Sequence, residues 1–315
     1  MAYMPTASKT AFVADTTLGL SPEEALEKGI HLVPVQVIHG GRSYRDLLEI
    51  GPEEVLALLE KGERLSTSQA APEDLRATYE RLLLDHDRVL SVHLSGKLSG
   101  TVATAQAVAR AYGGRIQVLD SWSLNGGLWL VLEEARRLLK EGVAWEALEE
   151  AVAPYRKRVL GYVLPKTLTY LHRSGRIGGI ARFVGGLLRI LPVLLVREGQ
   201  VEAGPRVRGF MEGMHKMAEL FRKDFPEGAL VHLAHAGNPE GARALGELLR
   251  AEGVEILSVL NAGAAVSVHA GPGTSAFFAG PRRCGCGPWC RGTARPLWRW
   301  RGRWWAELAW GFWSS

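Results

Sequence analysis

A chain of 315 residues with 47% hydrophobic and 23% charged side chains has material for two domains with cores of their own, and the balance is that of a globular protein. No apolar run reaches the length of about 18 residues that spans a bilayer, so stable membrane insertion is not expected. The formal net charge of +5 does not point to nucleic acid, because residues 281–315 hold seven Arg against Glu307 alone and leave residues 1–280 at −1.

Met1 to Lys9 lacks the long apolar core of a signal peptide, so a cytoplasmic protein is expected. Thr10 to Asp15 is a short apolar run that suits a first strand, with Asp15-Thr16-Thr17 in the loop at its carboxyl end. Ser21-Pro22-Glu23-Glu24 then opens a helix with Ser as N-cap, Pro at the first position and Glu at the third. Gly51-Pro52-Glu53, Ala71-Pro72-Glu73 and Asn238-Pro239-Glu240 repeat the opening, while Gly29, Gly62, Gly113, Gly142 and Gly253 stand where helices should stop. Between them, His31 to His39 reads as one strand, followed by Arg88 to Val92, Arg115 to Leu119 and Ala229 to His235.

Strands alternating with helices predict an α/β fold, with a parallel sheet covered on both faces in a three-layer N-terminal domain over residues 1–157. In such a sheet, ligands bind beyond the carboxyl ends of the strands, where Asp15, Thr67, Ser95 and Asp120 would gather. The turn His93 to Thr101 reads as strand end, polar loop and helix start. Ser99 is the expected N-cap, and Gly96 and Gly100 permit close approach of a carboxylate or phosphate, unless the hydroxyls only cap the helix. Asp46 and Asp120 are expected to brace loops, and His93, His232 and His235 to be structural.

A smaller α/β domain is expected over residues 158–280, beginning near Gly161-Tyr162-Val163. Its apolar stretch Ile177 to Leu195, with Leu187 to Gln200 as helix end, strand and tight turn, is either ordinary core or in part the lining of a cleft for an apolar ligand between the domains. Residues 281–315 differ from the rest, holding all three Cys (284, 286, 290) and seven of the ten Trp with neither helical nor strand period. A frameshift near residue 280 accounts for that composition. A zinc site at Cys284, Cys286 and Cys290 would have three ligands and no nearby His, and a basic Trp-rich membrane-surface segment is the other reading. Ser95 or Ser99 with His269 would serve a hydrolase of lipid esters, but no G-x-S-x-G elbow is present. A kinase acting alone is disfavoured by the absence of a P-loop.

Taken in order, six segments resemble the DegV family of bacterial lipid-binding proteins. Asp15-Thr16-Thr17 is similar to D-S-T, Thr67-Ser68-Gln69 to T-S-Q-P with Ala70 in the proline place, and Ser95 to Thr101 to S-S-x-L-S-G-T. Val118 to Ser121 matches V-I-D-S, Arg173-Ser174-Gly175-Arg176-Ile177 resembles the G-G-R-I loop, and His269 to Gly273 resembles H-T-G-P-G, which lies near the family's C-terminus. The resemblance runs from about residue 10 to 279 and implies a two-domain fold with a long-chain fatty acid between the domains. It places the carboxylate on Thr67, with Ser68 beside it, and Ser95. Gly96 stands where many members have a second Ser, so Ser95, backbone N–H groups or water would have to complete the clamp. His269 and Gly271 would lie near the head group, and Arg173 or Arg176 would supply positive charge. Some members act as the binding subunit of a fatty-acid kinase, which implies a kinase partner that forms acyl phosphate, no enzymatic activity in this chain, and no metal or cofactor beyond the bound fatty acid.

Overall fold

The three Pro-Glu openings and the capping box do start helices. In a computed structural model that describes residues 9–176, 190–252 and 254–282, α1 (Pro22–Glu27) begins where Ser21 Oγ accepts from the Glu24 N–H at 3.2 Å and Glu24 Oε2 accepts from the Ser21 N–H at 2.8 Å. The tail from residue 283 with its cysteines, the part of the apolar stretch at 177–189, Gly253 and residues 1–8 lie outside the described residues.

Strands β1 (Thr10–Asp15), β2 (Ile30–Val33), β6 (Arg88–His93) and β7 (Ile116–Asp120) form a parallel sheet in the order β2-β1-β6-β7. The run read as a single strand over residues 31–39 is two strands. Pro34, which has no N–H to give a ladder, separates β2 from β3 (Gln36–His39), and β3 joins a different, antiparallel sheet with β4 (Arg42–Arg45) and β5 (Leu65–Ser68). At this break the Val35 N–H donates to Thr16 Oγ1 at 3.2 Å.

Helices α2 (Pro52–Glu60), α3 (Pro72–Leu82) and α4 (Thr101–Ala109) precede α5 (Gly126–Lys140) and α6 (Leu148–Arg156). Helices α1, α2 and α5 stop just before Gly29, Gly62 and Gly142, and α4 runs on into a 3-10 turn, Arg110–Tyr112, that ends at Gly113, as the sequence indicates. Alternation along the strands sends Ala11, Val13 and Val89 toward α3 and α4, and Ala14, Leu90 and Val92 toward α5.

After residue 157 come β8 (Leu160–Leu164), α7 (Thr169–Ser174), β9 (Leu191–Arg197), β10 (Gln200–Val207), α8 (Phe210–Asp224), β11 (Ala229–Ala236), α9 (Pro239–Arg250), β12 (Glu255–Asn261), α10 (Ala264–Ala270) and β13 (Thr274–Pro281). Their strands make a mixed sheet in the order β10-β9-β8-β13-β11-β12, with α8 and α9 on one face. The fold class is therefore α/β, with a parallel sheet followed by a second, mixed one, and the described residues fall in one compact unit.

Helix α5 packs against β6 of the parallel sheet and also against β11 and β13 of the mixed sheet. That is why its first two turns, Gly126 to Leu132, are buried all round rather than on one stripe. A Cβ on Gly126 would stand 2.4 Å from His232 Cβ. Alanine normally favours a helix over glycine by about 1 kcal/mol, but here overpacking of about 1–3 kcal/mol is expected to win. Thermal unfolding of Gly126→Ala should show a lower Tm than wild type.

Asp46 does brace a loop. Its Oδ2 accepts from Thr16 Oγ1 at 2.8 Å, and burial pushes its carboxyl from 3.8 up to about 7, against the opposing pull of the Thr16 hydroxyl and the N–H groups of Ala265 and Ala264. The unfolded chain ionises this group near 3.8 while the folded chain holds its proton to about 7, so the folded state binds more protons in that window. The group's contribution to stability therefore falls as pH rises through it. Asp46→Asn should flatten that part of the Tm-versus-pH curve and raise Tm at pH 8 by a few degrees.

Candidate functional site

A cavity of about 260 Å³ lies beside the carboxyl end of β5 and the β6–α4 turn. Most of its wall is aliphatic. Leu194, Val196 and Val201 come from β9 and β10, and Ala234, Ala276 and Phe278 from β11 and β13 of the same sheet. Its polar lining includes Thr67 and Ser68 at the end of β5 with Gln69 after it, Ser99 and Gly100 before α4, Arg176 after α7, and His269 in the last turn of α10, together with Thr17, Asn125, His235 and Thr274.

Short-range chemistry holds these segments together. Thr67 Oγ1 and His269 Nε2 are 2.7 Å apart, joining residues separated by 202 positions. The Ala70 N–H donates to Thr101 Oγ1 at 3.2 Å, which ties the T-S-Q loop to the start of α4. The loops approach closely at Gly100, where a Cβ would stand 2.0 Å from Gln69 Oε1 and displace that exposed side chain. Burial, and then the nearby Arg176 guanidinium, lower the His269 ring to about 4, so it is uncharged at neutral pH, and its Nδ1 is buried without a partner among the described residues. Arg176 is exposed, with Nη1 donating to the Ser174 carbonyl at 2.8 Å. The arrangement offers hydroxyls, one guanidinium and a neutral imidazole to an anionic group whose remainder is apolar.

Of the residues that the family resemblance places at the ligand, Thr67, Ser68, His269 and Arg176 line this cavity. Ser95, Gly96, Gly271 and Arg173 do not. Ser95 is fully buried elsewhere, its hydroxyl donating to the Gly199 carbonyl at 2.7 Å. The Gly96 N–H donates to Asp120 Oδ2 at 3.0 Å. Gly271 lies under a ring, since a Cβ there would be 2.1 Å from Tyr170 Cδ2, and Arg173 is exposed on α7. Ser99 is not the N-cap of α4. Gly100 occupies that place, and Ser99 Oγ accepts from the Thr101 N–H at 3.3 Å while its residue faces the cavity.

Gln69 and Ser99 are cavity residues that the sequence does not assign to the fatty acid, whereas Gly100 is expected there as a point of close approach. The available signal was the second Ser-Gly pair of the turn, four residues beyond the first. His235 borders the cavity, but on the face of β11 opposite Ala234 and Ala236, and the Arg243 guanidinium of α9 helps burial to lower it. His93 is buried between Ser91 Oγ at 2.8 Å and Asp15 Oδ2 at 3.2 Å, and His232 is stacked on Trp129 with ring centroids 4.5 Å apart. A hydrolytic relay is not assembled. The Ser95 hydroxyl is committed to Gly199, Ser99 Oγ pairs with Thr101 Oγ1 while His269 Nε2 pairs with Thr67, and no carboxylate stands behind His269 Nδ1 among the described residues. Nor do the described residues contain a cluster of three His, Cys, Asp or Glu suited to a metal ion, or a helix long and apolar enough to cross a membrane.

The family model described as "Uncharacterised protein, DegV family" matches residues 9–282. A DegV domain-containing protein of Deinococcus radiodurans is 35% identical over 268 residues, 84% of this chain and 95% of its own. Among solved structures, a DegV family protein from Thermus thermophilus, described for its fatty acid binding, superposes with a TM-score of 0.80 at 34% identity over 86% of this chain and 99% of its own. DegV of Bacillus subtilis, described as a fatty acid binding protein, gives a TM-score of 0.76 at 26% identity over 87% and 99%. Motif order, sheet order and these matches cover the same residues, and the chain belongs to the DegV family.

Proposed function

We propose that this chain is a binding protein, not an enzyme, for a long-chain fatty acid, which it holds in the cavity between regions 1–157 and 158–280 acting as two domains. The observation that carries this reading is a mostly aliphatic cavity wall that also brings hydroxyl, imidazole and guanidinium donors together around Thr67. Fatty acid binding by the Thermus and Bacillus relatives supports it. A chain of about sixteen carbons gains on the order of 10 kcal/mol on leaving water, which exceeds typical association costs at the low end. Its carboxylate needs charge-assisted partners, because an unpaired buried charge costs several kcal/mol. Thr67, Ser68, Ser99 and Arg176 supply them, with His269 held by Thr67.

Lipid extraction of the purified protein followed by mass spectrometry tests the reading. A long-chain fatty acid at near-stoichiometric level is the expected result, and a protein that is empty and refuses added fatty acid would overturn it. Arg176→Ala and Thr67→Ala should each weaken binding about ten-fold in a titration, the lower end for hydrogen bonds to a charged group, since the rim is partly solvated.

The head-group end is reachable from outside, as Ser68, Gln69, Gly100 and Arg176 are all exposed. This supports presentation of the carboxylate to a fatty-acid kinase partner that forms acyl phosphate, with Arg176 steadying phosphoryl charge. Cytoplasmic residence suits such a carrier. Loaded protein should yield acyl phosphate with ATP only when a kinase catalytic subunit is added.

A further inference from the structure

The tip of the β9–β10 hairpin is covered on one side: Glu198 is exposed, but Gly199 beside it is buried where hairpin tips usually face water. Glu198 and Gly199 form a tight turn with φ of +46° and +81°, and Gly199 is buried although β10 is the edge strand of its sheet. The burial comes from the turn after β6. Ser95 Oγ donates to the Gly199 carbonyl at 2.7 Å and accepts from the Lys97 N–H at 3.1 Å, and Lys97 Nζ donates to the Glu198 carbonyl at 2.9 Å. Contact is close enough that a Cβ on Gly199 would stand 2.5 Å from Ser95 Oγ and 3.6 Å from Lys97 Cδ. Two side chains separated from the hairpin by 104 and 101 positions thus fasten it at its tip.

This hairpin carries Leu194, Val196 and Val201, which wall the cavity. We infer that Ser95 and Lys97 are positioning residues that latch the β9–β10 hairpin over the cavity, and that opening of this latch sets how fast the ligand enters and leaves. The inference rests on the fatty acid reading above. A latch differs from a ligand contact in its kinetics. Loosening it raises the open population, so association and release accelerate together and Kd changes little, whereas removal of a head-group donor such as Thr67 acts on Kd. Ser95 makes no contact with the cavity, so the two cases are separable.

Stopped-flow mixing with cis-parinaric acid, a fluorescent long-chain fatty acid, measures both rates, and hydrogen exchange reports the amides of residues 196–201 in ligand-free protein. Ser95→Ala is expected to accelerate association and release by about five-fold, the size expected for one buried hydrogen bond, with Kd changed by less than about two-fold. Lys97→Met, an exposed position that leaves Tm unchanged, should move both rates the same way by about two-fold. Faster exchange at 196–201 is expected in both variants. Unchanged exchange there overturns the latch, and a loosened hairpin with unchanged ligand rates overturns its control of entry. A wild-type protein that takes up no cis-parinaric acid counts against the fatty acid reading, while exchange in ligand-free protein still decides whether the hairpin is latched.

Discussion

Phe278→Ala is expected to lower stability by about 3–5 kcal/mol, seen as a shifted denaturation midpoint and a Tm lower by about 10 °C. Phe278 is 2% exposed, and its ring lies in a cradle of three glycines. A Cβ on Gly161 would meet its Cε1 at 2.7 Å, one on Gly127 its Cδ1 at 3.1 Å, and one on Gly126 its Cβ at 3.4 Å. Neighbours without side chains cannot lean in to fill the space left by the ring, so the void persists and the loss falls toward the high end for such a change. The same residue walls the cavity. The variant should therefore also accept bulkier acyl chains than wild type, measured by competition with branched fatty acids. Phe278→Leu, which keeps most of the volume, should lose less of both stability and selectivity.

Asp15→Ala is expected to cost at least about 3 kcal/mol, because it strands several buried donors at once. Asp15 is fully buried at the end of β1. Oδ1 accepts from the Thr17 N–H at 3.1 Å and from the Thr17 hydroxyl, and Oδ2 accepts from the Leu94 N–H at 2.8 Å and from His93 Nδ1 at 3.2 Å. With Nδ1 donating to Asp15, Nε2 accepts from Ser91 Oγ, which itself accepts from Tyr79 OH at 2.9 Å. Every donor in the row has an acceptor, and the row ends on this carboxylate. Thr17 and Leu94 line the cavity, so the variant should lose fatty acid affinity along with denaturation midpoint. Asp15→Asn keeps the shape but turns an N–H toward these donors, and should recover only part of the loss in a urea titration.

Local signals in the sequence located most elements. Pro and Glu behind a Ser, Asn or Gly start helices by filling orphan positions at their N-termini, and short apolar runs become strands, both through neighbours a few residues away. The missed features depend on distant partners. Pro34 splits residues 31–39, but nothing local says that β3 leaves the parallel sheet for β4 and β5. Thr67 and His269 were recognised through family motifs, yet their hydrogen bond spans 202 positions. Ser95 and Ser99 are chemically equivalent on the page. One faces Gly199 and the other the cavity because the turn between them reverses direction, which only the folded backbone determines. The Gly126-Gly127 pair reads locally as a weak helix start, whereas its purpose is to admit His232, Ser123 and Phe278 at close range.

Helix α5 serves two sheets at once, with β6 of one and β11 and β13 of the other gathered with it into a single core. Neither sheet can lose its partner without baring the same Leu128 to Leu132 surface to water. Separation of the two halves would therefore resemble partial denaturation more than the swing of a hinge. A protein built this way admits its cargo by small displacements at the rim, and it melts in one cooperative step instead of two.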